Sequence, residues 1–348
     1  MSRTDDGAPR GGTGRRPGGF ADGAVASWEA RSAVQPAAAD ATPIIVYGPL
    51  RGGSTLLRLM LDGHPDLACV GESDYMVDHL RRGRDGWEYD VRGLSEDRIF
   101  IDGGLTLPRE VDGRAALYGM IRQIAERAGG RRPVLVLHRD LQKCAELLPN
   151  APILRLLRDP RDVARSAIGM GWAGNVYFGA DTWIRTERAW RAFEEAGHRN
   201  PVKVTAYEAL VADAEGELRA ICAFLRVPFD PGMLAYPERT TYAPPDPSLA
   251  EQWRRKLTPR QVALVEARIG DLLDGSGYAP SGAPVRQPGP IERSRLALSN
   301  RSNVWRLMIR RYGLLDPVAR GLGRRLRIDA LQRYGTRRMD KTTRRLLK

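Results

Sequence analysis

Between Pro43 and Leu61 the chain passes from an apolar stretch, Ile44-Ile45-Val46, through Gly48-Pro49-Leu50-Arg51-Gly52-Gly53 into Ser54-Thr55-Leu56-Leu57. β-Branched apolar residues in series read as a strand covered on both faces. Three glycines end it, and Leu56, Leu57, Met60 and Leu61 then recur at helical spacing. A buried strand turning through glycine straight into a helix belongs to α/β architecture. It leaves the helix's first amides and positive dipole end facing the turn. Successive amides there form an anion cradle, and Arg51 adds a full charge on a planar donor fork. A plain tight turn, its glycines serving backbone geometry alone, satisfies the same letters.

The rest of the body repeats the pattern. Residues 133–137, 153–157 and 201–206 read as three more strands. Helical periodicity marks 74–80, 115–128, 141–148, 182–198, 217–225, 253–257 and 259–273. Residues 66–71 read as a connection with Glu72 just past its end, and 81–110 as an irregular surface excursion. Strands alternating with helices imply a parallel sheet with ligands at its carboxyl edge. The third strand ends in Arg158-Asp159-Pro160, where Asp159 suits an N-cap and Pro160 a first helical turn. Ser166 follows eight residues after Arg158. A basic residue again stands at a strand's carboxyl end, with a helix N-terminus facing it. The plainer alternative pairs Arg158 with Asp159 or Asp162 on the surface.

The charge needs dividing before it means anything. The 348 residues carry a net +13. Residues 286–348 hold 18 Lys+Arg and 4 Asp+Glu, a net of +14, and the remainder is −1. The body is near neutral, which argues against a nucleic-acid-binding body despite a pI of about 10.1. Three regions follow: 1–40, rich in Gly, Ala, Pro and Arg and expected to be disordered; a body over 41–285; and a basic helical tail over 286–348. In the tail, Val318, Leu322 and Leu326 recur every four residues among Arg320, Arg324, Arg325 and Arg327. That pattern suits a helix lying on an anionic membrane surface, or one packed on the body. Cys69, Cys144 and Cys222 are odd in number and far apart. With no recognisable signal peptide, they point to a reducing cytoplasm, with a peripheral position at the inner membrane face if the tail binds lipid.

The loop meets the nucleoside triphosphatase pattern at Gly48, Gly53 and Thr55, but Ser54 stands where that pattern has lysine. It more closely resembles the phosphosulfate-binding loop of sulfotransferases that use 3′-phosphoadenosine 5′-phosphosulfate (PAPS). Their Arg-Ser-Gly-Thr-Thr-Leu stands here as Arg51-Gly52-Gly53-Ser54-Thr55-Leu56. Residues 61–72 look most like the tyrosyl-protein branch and its carbohydrate-modifying relatives. Arg158 through Ser166 resembles the family's 3′-phosphate motif. Weaker likenesses are Tyr207-Glu208-Ala209-Leu210, whose tyrosine lies near the adenine in the family, and the basic segment from Trp253. The resemblance covers about residues 43 to 280.

The resemblance implies a P-loop-like three-layer α/β fold, a central parallel sheet flanked by helices, and a transferase with PAPS as co-substrate and no metal. Arg51, Gly52, Gly53, Ser54 and Thr55 would hold the phosphosulfate, Arg158 and Ser166 the 3′-phosphate, and Tyr207 the base. Glu72 would be the general base, with His138 its rival. Where the family often carries a catalytic lysine this chain has a shortened His138-Arg139-Asp140, so that either Arg139 or Lys143 takes that role or no residue does. An Asp74 in place of the tyrosyl-protein enzymes' arginine would repel an acidic peptide. That favours a hydroxyl on a small molecule, glycan or lipid-linked acceptor, with Trp172, Tyr177, Phe178 and Trp183 as lining. An ATP-dependent small-molecule kinase and a non-catalytic nucleotide-binding adaptor are the other readings.

Overall fold

A computed structural model describes residues 42–108 and 111–346; the expected disordered segment lies outside them. Five strands form one fully parallel sheet: β1 (Ile44–Tyr47), β2 (Leu67–Glu72), β5 (Arg132–Leu137), β6 (Ile153–Leu157) and β7 (Val202–Ala206), in the spatial order β2-β5-β1-β6-β7. A separate hairpin pairs β3 (Leu80–Arg82) with β4 (Trp87–Tyr89). The apolar run of β1 takes the centre, where all four residues are fully buried. Its side chains alternate between two cores. Ile45 and Tyr47 join Leu135, Leu137 and Ile153 on one face. Ile44 and Val46 join Val134, Val136, Leu154 and Leu156 on the other. Helices Gly113–Arg127, Leu141–Leu147 and Asp181–Glu195 cover the first face, and Ser54–Leu61 and Ala214–Leu225 the second. Each buried Ile or Leu is worth about 1.5–3 kcal/mol, so a central strand apolar on both sides is strongly held in register.

The structure corrects two expectations. Residues 67–72 are a strand, not a connection. Leu67–Glu72 pairs with β5 alone, with a register shift between Cys69 and Glu72. An edge strand buries one face, so its sequence lacks the apolar run that marks a central one. Its open edge is blunted by side chains: Cys69 N donates to Asp62 Oδ1 (3.1 Å), and Arg131 Nη1 donates to the Leu67 carbonyl (3.1 Å). The excursion expected over residues 81–110 is also more ordered than expected in its described part, residues 81–108. They hold the hairpin and two short helices, Val91–Glu96 and Arg98–Gly103, N-capped by Asp90 and Asp97.

The tail is three helices: Pro290–Tyr312, Leu315–Leu326 and Asp329–Leu346. The first lies over the loop after Gly169, where Asn300 Oδ1 accepts from Gly174 N (2.6 Å) and Asn175 Nδ2 donates to the Leu296 carbonyl (2.8 Å). The third faces the short helices near residue 100, with Arg344 paired to Asp102 (2.7 Å) and Asp329 to Arg92 (3.3 Å).

Candidate active site

The turn after β1 is built by close approach. A Cβ on Gly48 would lie 2.6 Å from the Leu156 carbonyl oxygen. Gly52 N closes the turn on the Pro49 carbonyl at 2.8 Å. Arg51 takes a left-handed φ of 71° and Gly53 one of 99°. Gly53 is required twice, because a Cβ there would also meet the Tyr207 ring at 2.3 Å. Helix Ser54–Leu61 starts on this glycine with no side-chain cap, so its first amides face the turn with Ser54 and Thr55 in the opening positions.

The two motifs converge there. Arg51 Nε donates to Ser166 Oγ at 2.9 Å, across 115 residues of sequence. Arg158 Nη1 donates to the Arg51 carbonyl at 2.9 Å and Nη2 to the Leu249 carbonyl at 3.5 Å. The Arg158 guanidinium lies 4.0 Å from the centre of the Tyr207 ring, and its Nε is buried without a hydrogen-bond partner. Trp183 Nε1 donates to the Arg158 carbonyl (3.2 Å) and fixes the strand end. Burial, and then the charge of Arg158, push the Arg51 pKa below its ordinary value. Among the described residues neither Arg51 nor Arg158 has a carboxylate within ion-pair distance. The neighbouring arginines do: Arg155 pairs with Glu187 (2.6 Å), and Arg161 with Asp159 and Glu266 (both 2.8 Å). The surface pairing considered for Arg158 is therefore not formed; Arg161 takes Asp159 instead. Two adjacent guanidinia, an orphaned buried N–H, a hydroxyl and an uncapped helix start fit phosphate groups.

A buried scaffold fixes these groups. Asp159 caps helix Pro160–Gly169 through Arg161 N at 2.8 Å. The amide of Asp159 donates to Glu208 Oε1 (3.0 Å), and Tyr278 Oη donates to Glu208 Oε2 (2.9 Å). Burial pushes the Glu208 carboxyl up to about 7. Asp162 accepts from Gln252 N (3.1 Å) and Trp253 N (2.8 Å), and burial pushes it up to about 6. Trp253 is buried with Arg161 stacked 3.9 Å from its ring centre, so it is part of the scaffold. Glu208, Tyr278 and the Leu249 carbonyl had no sequence signal that sets them apart.

Glu72 ends β2, two strands from β1, on the same carboxyl edge. Adjacent strands lie about 4.8 Å apart, which puts the two strand axes roughly 10 Å from each other. Glu72 is exposed, and no hydrogen bond or ion pair engages its carboxylate among the described residues. His138 is buried instead. Its Nδ1 donates to the Gly48 carbonyl (2.8 Å), and its Nε2 is buried without a hydrogen-bond partner. Arg139 is held by Asp78 (2.6 Å), and Lys143 by the Val77 carbonyl and Asp140 (both 2.9 Å).

Two expectations about the acceptor fail. Asp74 does not face an acceptor. It is buried, accepts from the amides of His138 (2.9 Å) and Arg139 (3.0 Å), and closes the end of β5. Burial raises its pKa, and its carboxyl is taken up by these two amides rather than displayed at the surface. Nor do the four aromatics share a pocket. Trp183 and Tyr177 are buried in the body, and Trp172 is 46% exposed. A cavity of about 950 Å³ lies elsewhere, between the hairpin and helix Gly113–Arg127. Trp87, Tyr89, Phe100, Leu105 and Leu107 line it, with Asp85, Glu88 and Asp112 among its polar residues.

Comparison with known proteins covers the same stretch. The chain is 31% identical over 205 residues to protein-tyrosine sulfotransferase A of Caenorhabditis elegans, a match spanning 55% of this chain and 51% of that one. It is 27% identical over 284 residues to human protein-tyrosine sulfotransferase 1, covering 72% and 75%. The chain thus spans about half the length of the nematode relative and three quarters of the human one. Among solved structures, the sulfotransferase domain from the curacin biosynthetic pathway aligns with 68% of this chain and 98% of its own, at 20% identity and a TM-score of 0.48. The Sulfotransferase family profile matches residues 43–231, over half the chain and including both arginine motifs and Glu72. By that match, this chain belongs to the sulfotransferase family.

Proposed function

We propose that this chain transfers the sulfuryl group of PAPS to an acceptor hydroxyl. The observation that carries the reading is the Arg51–Arg158 pair at the carboxyl edge of the sheet: Arg158 holds the Arg51 carbonyl, Arg51 holds Ser166, and neither guanidinium has a carboxylate partner among the described residues. PAPS supplies the sulfuryl group and departs as adenosine 3′,5′-bisphosphate. Arg51, with the amides from Gly52 to Thr55 and the hydroxyls of Ser54 and Thr55, holds the 5′-phosphate and takes up its charge as the S–O bond breaks. Arg158 and Ser166 hold the 3′-phosphate. Tyr207 stacks on Arg158 and sets its orientation. Glu72 takes the proton of the acceptor hydroxyl as the new O–S bond forms. It is the better base because it is exposed and unengaged, while the free nitrogen of His138 is buried.

For the acceptor, the large cavity beside β4 supports a hydroxyl on an apolar small-molecule or lipid-linked body. Its wall is aromatic and aliphatic, and its polar members include three acids that disfavour an acidic peptide. The relatives are named as protein-tyrosine sulfotransferases, which favours a tyrosine phenol as the second reading. The missing P-loop lysine weighs against a kinase, and turnover separates an enzyme from an adaptor. All three cysteines are free thiols, which supports a reducing compartment.

The test is mass spectrometry after incubation with PAPS, against a metabolite extract in one arm and an acidic tyrosine peptide in the other. A gain of one sulfuryl group in either arm supports the activity and chooses the acceptor. In single turnover with donor saturating, Glu72→Gln should lower the rate about 10²–10⁴-fold while keeping bisphosphate binding. Near wild-type turnover, with a large loss in His138→Ala, transfers the role to His138.

A further inference from the structure

The middle tail helix, Leu315–Leu326, has two distinct faces. One is a close-packed seam against Asp329–Leu346: a Cβ on Gly323 would lie 2.3 Å from Gln332 N, and one on Gly335 2.6 Å from Arg320 N. Asp316 on this side is buried and paired with Arg338 (2.7 Å). The other face is uncovered. Leu315 is 78% exposed, Leu322 45% and Leu326 59%, and Leu314 and Ile328 continue the stripe beyond both ends at 58% and 45%. At 100° per residue, Leu315, Leu322 and Leu326 fall within about 40° of one another, about 100° from the seam residues Asp316 and Gly323.

The exposed charge of the tail has one sign; Arg325 flanks the stripe at about 80° from its centre, and Arg324 lies on the opposite side of the helix. Arg310, Arg311, Arg324, Arg325 and Arg327 are exposed and form no ion pair among the described residues. All four acids of residues 286–348 are engaged: Glu292 with Arg260 (3.0 Å), Asp316 with Arg338 (2.7 Å), Asp329 with Arg92 (3.3 Å) and Asp340 with Arg98 (4.0 Å). We infer that this face docks the enzyme on an anionic lipid surface. The leucines enter the boundary between headgroups and acyl chains, Arg325 at the flank of the stripe contacts the headgroup phosphates, and the remaining arginines add to the attracting field. A single exposed helix one stripe wide suits a bilayer. A second copy packed two-fold on the same stripe would bring its arginines against these ones. Among the described residues no helix is long and apolar enough to cross a membrane.

The experiment is co-sedimentation of the full chain with vesicles of phosphatidylcholine alone and of phosphatidylcholine with phosphatidylglycerol, at low salt and at about 0.15 M. Binding to the anionic vesicles, weakened by salt and absent with the neutral ones, is expected. Arg324→Glu with Arg325→Glu should bind at least tenfold more weakly. Leu322→Ser with Leu326→Ser should also bind at least several-fold more weakly, with melting temperature unchanged. No binding to anionic vesicles overturns the inference. So does undiminished binding by the leucine variant, which would reduce the surface to nonspecific electrostatics. A chain that is dimeric by sedimentation and becomes monomeric in the leucine variant assigns the face to a second copy instead.

Discussion

The carboxyl edge of the sheet and the C-terminal tail both concentrate arginine, and they use it in opposite ways. At the sheet edge Arg155, Arg158 and Arg161 are buried, each over an aromatic ring, and Arg51 is half-buried against Ser166. Arg161 sits between two carboxylates and over Trp253, while Arg158 lies over Tyr207 with a carbonyl on each side. In the tail, Arg324, Arg325 and Arg327 stand in water beside leucines. A buried guanidinium must have its desolvation offset by fixed partners, so its position is specified to a fraction of an ångström. An exposed one is held weakly and acts through the summed field. Within the sheet-edge group there is a second division. Arg155 and Arg161 are neutralised by carboxylates and build the scaffold, whereas Arg51 and Arg158 have no carboxylate partner among the described residues.

Substitutions can break this contrast, starting with the scaffold. Arg161→Met leaves Asp159 and Glu266 buried without their cation, so unfolding in urea should show a loss of about 3–5 kcal/mol. A loss below 1 kcal/mol would mean that the network is looser than its distances imply. Arg158→Ala orphans no carboxylate, so the free protein should be destabilised less than by Arg161→Met. Its large effect should appear with ligand. Adenosine 3′,5′-bisphosphate at ~100-fold over Kd stabilises the wild type by about 2.7 kcal/mol, and most of that melting shift should vanish. An equal response of the wild type to ATP with Mg²⁺ would favour the kinase reading. Replacing both Arg324 and Arg325 by Ala should be the mildest change, within ~0.5 kcal/mol of wild-type stability, because neither has a partner to lose. A larger loss would place them in the folded core of the tail.

What could be read from the chain alone was whatever depends on local order. Strand β1, the glycine turn and helix Ser54–Leu61 are a continuous pattern, and so are β6, the Asp159 cap and helix Pro160–Gly169. Both arginine-bearing turns and the parallel α/β class were therefore legible in the letters, and the leucine spacing of the tail was too. Edge strand β2 was not, since half of its environment is a partner strand more than 60 residues away. The hairpin and the large cavity are likewise made by packing between distant segments. Tertiary structure alone decided which aspartate pairs with which arginine, because Asp159, Asp162 and Asp74 look equivalent as letters. Burial and amide contacts sent Asp74 to the end of β5, Asp162 to the Trp253 turn and Asp159 to Arg161. Those choices leave Arg51 and Arg158 the charged pair at the sheet edge. Short-range periodicity is written in sequence, but the matching of charges is settled only when the folded chain brings them within hydrogen-bond distance.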